Sequence, residues 1–457
     1  MKKEQVVSIT DSGHKNYQDH QSIIACVTQS LEDLQLDEDF FDSASKVVLK
    51  PNWVKEHDER TPGPNAWEHV VTHPSVIEGV ASFVAARLKK EGKIVICDAP
   101  QTDSSFATLR DYCQLDQMIS RLSHRFPKIG FELLDLRPVE WNAIDGVTVS
   151  KTELEGDPAG DTHVSLNEGS EFIDYQGEGK LFGASYNMEE TNLRHQGNNH
   201  EYLLCRTPMD ADIFINIPKL KTHKKVGLTC ALKNLVGINA NKNWLPHHTE
   251  GTPDAGGDQF PKNTSKAKLE HSWMGKIKKF LTNNPNYSRI FVPLKKLGRL
   301  YFGDTGKIVR SGNWYGNDTC WRMVLDLNKC LFFYDGHGQK RKKPPKYLAV
   351  VDGILGGDGN GPMAPDPVHS GIIISGEHPL AVDMCSAKMM SFDYSKIRLL
   401  QNAFKMKKLS FVDFEPDEII VKSNRKEWNG PLNKIRSPHA FTPHFGWVGA
   451  IEEKRPD

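Results

Sequence analysis

The sequence predicts an α/β protein: a mostly parallel sheet flanked by helices, with a helical region inserted late in the chain. Two observations carry that expectation. A strand–helix–strand unit runs from KVVLK to KIVICDAP, and such a crossover is how a chain joins parallel neighbours. Further apolar runs return at ADIFINIP and KYLAVVDGI, spaced as later strands of the same sheet would be.

The elements follow in order. Lys46 to Lys50 is the first strand, ending in Pro51-Asn52. His73-Pro74-Ser75 opens a helix that Ser75 can cap, with Val76, Val80, Phe83, Val84 and Leu88 at helical spacing. Gly92 stops it, and Lys93 to Pro100 is a buried strand. Lys128 to Leu136 reads as another. From about Pro138 to Asn199 the chain is polar and rich in Gly, Asp and Glu, which suits a surface excursion with short antiparallel strands. The sheet resumes at Ala211 to Pro218, followed by a loop, KLKTHKK, and a helix, VGLTCALKNLVG, stopped by Gly237. Residues from about Asn241 to Lys346 read as the helical insertion. Strands KYLAVVDGI and GIIISG and a helix from Pro379 to Met390 complete the core. The expected division is a first core part at 1–240, the insertion at 241–346, and a second core part with a tail at 347–457.

Composition narrows the function classes. Lys plus Arg equals Asp plus Glu at 58 each, so net charge exerts no pull toward nucleic acid, and no nucleic acid partner is expected. No apolar run approaches the roughly 20 residues that cross a bilayer. MKKEQVVSITDSG has lysines but no apolar stretch after them, so the expected location is cytoplasmic. The eight cysteines form no C-x-x-C pair, and no iron–sulfur cluster is expected.

The chemistry concentrates around KLKTHKK. A loop at the C-terminal end of a parallel strand is where open α/β sheets bind ligands. Lys219 and Lys221 can hold an anion there, assisted by free N–H groups at the start of the next helix. Lys233, about one turn inside that helix, can reach the same spot. His223 has an ordinary pKa near neutrality, and neighbouring lysines would keep it uncharged, which suits a base or a metal ligand. The plainer account is a solvated basic loop covering a sheet edge. Lys50-Pro51-Asn52 and Asp98-Ala99-Pro100 end adjacent strands and face the same crevice. The segment VVDGILGGDGNGP delivers Asp352, then a glycine-rich turn carrying Asp358 and Asn360; the carboxylates can hold a divalent metal, or the segment is a plain Asx-capped turn. His195, His200, His247 and His248 flank the core loop and are expected mostly at the surface.

One segment stands apart. Residues 266–300 carry nine basic residues against one acid, Glu270, interleaved with apolar positions at helical spacing. Two amphipathic helices around Asn283-Asn284-Pro285 follow from this pattern. They form either a structural hairpin or a peripheral contact with an anionic membrane surface or an acidic partner.

Taken together, KPNWV, HPSVIEGV, CDAP, ADIFINIPKLKTH, GLTCALKNLVGIN, VVDGILGGDGNGP and HPLAVDMCSAKMM resemble, in content and order, the domain-of-unknown-function 362 family. Many members carry a ferredoxin-type iron–sulfur domain, whose cysteine motif this chain lacks. The spacing of His223 and Lys233, with Gly227 between, is also similar to the nickel-pincer-nucleotide lactate racemase family, where the lysine bears the cofactor and the histidine acts in catalysis. The double glycine before that lysine is replaced here by Ala231-Leu232.

The reading that results is an enzyme acting on a phosphorylated or carboxylated small molecule. His223 and Lys233 are its catalytic residues. Lys219, Lys221, Lys50, Asn52 and Asn234 bind the substrate, and Asp352, Asp358 and Asp383 are candidate metal ligands. Two alternatives stay open: a protein that binds a nucleotide or nucleotide-like cofactor without turnover, and a metal-dependent racemase or oxidoreductase with a pincer-type cofactor.

Overall fold

A computed structural model describes residues 4–454 except 15, 43, 90, 145–146, 186 and 263–308. The basic segment 266–300 therefore lies outside the described residues. The main strands are β1 (Gln5–Asp11), β2 (Lys46–Pro51), β3 (Gly92–Asp98), β4 (Ile129–Asp135), β5 (Ile213–Ile217), β6 (Lys219–His223), β7 (Gly227–Thr229), β8 (Lys346–Asn360), β9 (Ala364–Gly376), β10 (Ile419–Lys422) and β11 (Gly430–Pro431). The helices that matter here are α1 (His20–Glu32), α2 (Pro74–Ala85), α3 (Leu115–Arg125), α4 (Ala231–Asn234), α5 (Cys320–Phe333) and α6 (Pro379–Met389).

The central sheet runs β11-β10-β1-β9-β8-β5-β2-β3-β4, with the β6–β7 hairpin attached to β8. Strands β8, β5, β2, β3 and β4 are mutually parallel; β9 is antiparallel to both β8 and β1. Side chains two apart share a face of a strand, and both faces are covered. Val48, Val95, Phe214, Ala349 and Val351 pack toward α5 and α6. Val47, Leu49, Ile94, Ile213, Ile215 and Leu348 pack toward α1, α2 and α3. The result is a three-layer α/β architecture, as the sequence implied. The polar excursion contains the expected antiparallel pairs, Val139–Ile144 with Val147–Glu153 and Asp161–Ser165 with Asn199–Cys205. Helix α5 lies in the region expected to be an insertion, yet it belongs to the main core.

Several local expectations fail. KLKTHKK is not a loop: Lys219–His223 is a buried strand, parallel to β8 and antiparallel to β7. VGLTCALKNLVG is not one helix but strand β7, the single turn α4 and a 3₁₀ turn at Leu235–Ile238. VVDGILGGDGNGP is not a turn but the second half of the long strand β8. One cause underlies the first and third. A Cβ at Gly356 would stand 3.0 Å from the Leu220 carbonyl oxygen, and one at Gly361 would collide with the Thr222 carbonyl oxygen. The glycines thus let β6 lie flat against the β8–β9 ribbon. Helix α2 is capped by the His73 side chain, which accepts from the Ser75 N–H, rather than by Ser75.

Candidate functional site

The parallel strands β2 and β3 end side by side, and the crevice beyond their C-terminal ends holds a cavity of about 210 Å³. Its floor is the pair the sequence placed there. Lys50 Nζ donates to Asp98 Oδ1 at 2.7 Å and to the Asn234 side-chain oxygen at 3.2 Å. Asp98 Oδ2 accepts from the Trp53 N–H at 2.7 Å. Gly237 makes this possible, because a Cβ there would stand 2.6 Å from Lys50 Nζ; its role is close approach, beyond ending a helix. Asn52 Nδ2 donates to the Asn234 oxygen at 2.8 Å. Asn52 is only 8% exposed, and its own Oδ1 has no partner.

Lys233 and His223 enter the same cavity, joined by Lys224, Lys225, Lys242, His247 and His248. Five lysines therefore line it against one carboxylate, Asp98, already paired with Lys50. Lys225 donates to the Ser311 carbonyl, and Lys242 to the carbonyls of Ala99, Val236 and Asn239. Lys233 is 6% exposed, and its Nζ has no hydrogen-bond partner among the described residues. Burial and the Lys50 charge hold its pKa below the usual lysine range, although Cys320 pulls the other way. Burial likewise brings Lys225 down to about 7 and Lys242 to about 8.

Two of the three cavity histidines are fixed in opposite tautomers. His223 Nδ1 accepts the Lys225 backbone N–H at 3.1 Å, so its neutral ring carries the proton on Nε2. His247 Nδ1 donates to the Leu245 carbonyl at 2.8 Å, so its Nε2 is a bare lone pair. Burial lowers both pKa values well below the ordinary histidine value, and Lys233 is the foremost charged neighbour of each. The cavity thus presents one imidazole N–H and one imidazole acceptor around an amine.

The other predicted residues lie elsewhere. Lys219 donates to Asp352 at 2.9 Å and to the Tyr17 hydroxyl at 2.6 Å, all three buried. Asp352 also accepts the His73 N–H at 2.9 Å. This network ties β6 to β8 and to the start of α2, and none of its members lines the cavity. Lys221 is fully buried and donates to the Val70 carbonyl at 2.5 Å. Asp358 accepts the Thr442 N–H at 2.8 Å. Asp383 sits where an external anion was expected: it accepts the Ala231 and Leu232 N–H groups at 2.6 and 3.1 Å. The first turn of α4 is therefore closed by the protein's own carboxylate, which burial raises to about 8. The three aspartates are not gathered as ligands, and among the described residues no group of three or more His, Cys, Asp or Glu side chains is placed to hold a metal.

The sequence reading missed Lys242 and His247 as cavity residues. Nor are the flanking histidines surface groups: His195, His200 and His248 are buried. His247 follows strand-forming Pro246 in a short ladder with Leu181–Gly183, a pairing with no local sequence signal. Among the described residues no helix is long and apolar enough to cross a membrane.

No curated protein matches this chain. The model of the family described as Domain of unknown function (DUF362) matches residues 158–388, just over half of the chain, taking in β5 through α4, most of α6 and the β8–β9 ribbon. The Lys50 and Asp98 floor lies before that span, and Lys233, His223 and His247 lie within it. The chain belongs to the DUF362 family.

Proposed function

We propose that the protein is an enzyme whose cavity binds a small carboxylated or phosphorylated molecule and moves a proton on it. One observation carries this reading: five lysines converge on a crevice whose single carboxylate is already neutralised. Uncompensated buried cations are costly, and an anionic ligand supplies the missing charge. In this reading Lys50, Lys225 and Lys242 hold the anion, with Asn52 Oδ1 accepting a donor from the ligand. Bare His247 Nε2 takes a proton, while the His223 Nε2–H hydrogen-bonds to developing negative charge.

The inner volume of about 210 Å³ fits a small anionic group, with the rest of a larger ligand free to extend from the open mouth. Titration calorimetry with inorganic phosphate and with pyruvate tests the reading. Wild-type protein is expected to bind at least one of them at neutral pH, and Lys242→Met to bind it about ten- to a hundred-fold more weakly, as loss of a charge-assisted contact implies. Equal affinity in wild type and variant would refute it.

A further inference from the structure

The five cavity lysines are not equivalent. Lys50 is ion-paired, Lys225 and Lys242 are held by carbonyls, and Lys224 is partly exposed to water. Lys233 alone among them is both buried and without a hydrogen-bond partner among the described residues. An ion-paired or hydrated lysine keeps its proton and has no lone pair to offer. A desolvated lysine beside other cations releases the proton and becomes a nucleophile. His223 and His247 flank it in opposite tautomers, one offering a hydrogen, the other a lone pair.

We propose that Lys233 is an amine nucleophile that condenses with the carbonyl of a small 2-oxo acid held in this cavity, forming a Schiff base. The inference rests on the anion-binding reading above and adds the reacting group. The Lys233 nitrogen attacks the carbonyl carbon, forming the C–N bond and sending the carbonyl π pair to oxygen. The His223 Nε2–H hydrogen-bonds to that oxygen. His247 Nε2 takes one proton from the nitrogen and delivers it to the oxygen, giving a neutral carbinolamine. The nitrogen lone pair then expels the hydroxyl as the second nitrogen proton follows it, again by way of His247. Both amine protons leave in the water molecule, the imine remains, and no oxidant or reductant enters. The remaining lysines hold the carboxylate, which is why an oxo acid fits and a neutral ketone does not.

Trapping tests this. Full-length protein is incubated with pyruvate and cyanoborohydride, digested and peptide-mapped, with acetone as the neutral control and calorimetry of pyruvate binding in parallel. The expected result is one reduced pyruvate adduct, confined to Lys233, absent with acetone, lost in Lys233→Met and kept in Lys407→Met, which changes an exposed lysine outside the cavity. Because the site is mapped in wild-type protein, the result stands whether or not Lys233→Met folds. Binding of pyruvate without trapping, or adducts scattered over exposed lysines, would overturn the nucleophile while leaving the anion reading intact. Absence of binding by both pyruvate and phosphate would overturn both.

Discussion

Lys219 and Lys233 lie fourteen positions apart in the same stretch of chain, and both are buried. They are nevertheless opposite kinds of residue. Lys219 is saturated by Asp352 and Tyr17, so its charge serves to fasten β6 to β8. Lys233 has no such partner and faces a cavity. Burial alone does not distinguish a structural lysine from a functional one. What distinguishes them is whether the fold supplies the counter-charge or leaves it to a ligand.

That contrast can be broken experimentally. Lys219→Met leaves Asp352 buried without its cation, which is expected to cost about 3–5 kcal/mol of folding stability in chemical denaturation. Lys233→Met replaces a buried amine that has no partner among the described residues with an apolar side chain, so folding stability is expected to hold or rise. A Lys233→Met loss as large as that of Lys219→Met would erase the distinction. A smaller effect sharpens it through pH. Lys225 and Lys242, at about 7 and about 8, are cationic below those values and neutral above them. Anion affinity is therefore expected to fall as pH rises through this window, with proton uptake on binding within it. Calorimetry in buffers of different ionisation enthalpy reads both, and affinity that rises with pH would contradict the assignment. The smallest effect is expected at Lys224, which is partly exposed. Its replacement by Met should change anion affinity by less than about five-fold, the range of solvent-screened pairs, as a salt series would show.

Much of the site was legible. The rule that ligands sit beyond the C-terminal ends of parallel strands placed Lys50, Asn52 and Asp98 in one crevice. The placement of His223 and Lys233 on either side of a turn put them in the same space. What was not legible depended on contacts far apart in sequence. Alternation along β6 gave no hint that Lys219 would meet Tyr17, more than 200 positions away. The helix expected to begin near Gly227 and Thr229, with free N–H groups for an anion, begins instead at Ala231, and only the return of α6 brings Asp383 onto its first N–H groups. Strands β1 and β10 escaped notice because their pairing partners lie near the other end of the chain. His247 stood among four similar histidines, and nothing local marked it as the one whose Nδ1 would be tied to a carbonyl.

The hydrogen bond from Lys50 to Asn234 joins residues 184 positions apart. A contact of that sequence separation closes late, after the loop-closure entropy of the intervening chain has been met. The cavity is therefore a report on the completed sheet: neither the stretch before residue 100 nor the stretch after residue 220 contains it. A ligand that binds there stabilises the finished fold alone, so occupancy and completion of folding rise and fall together.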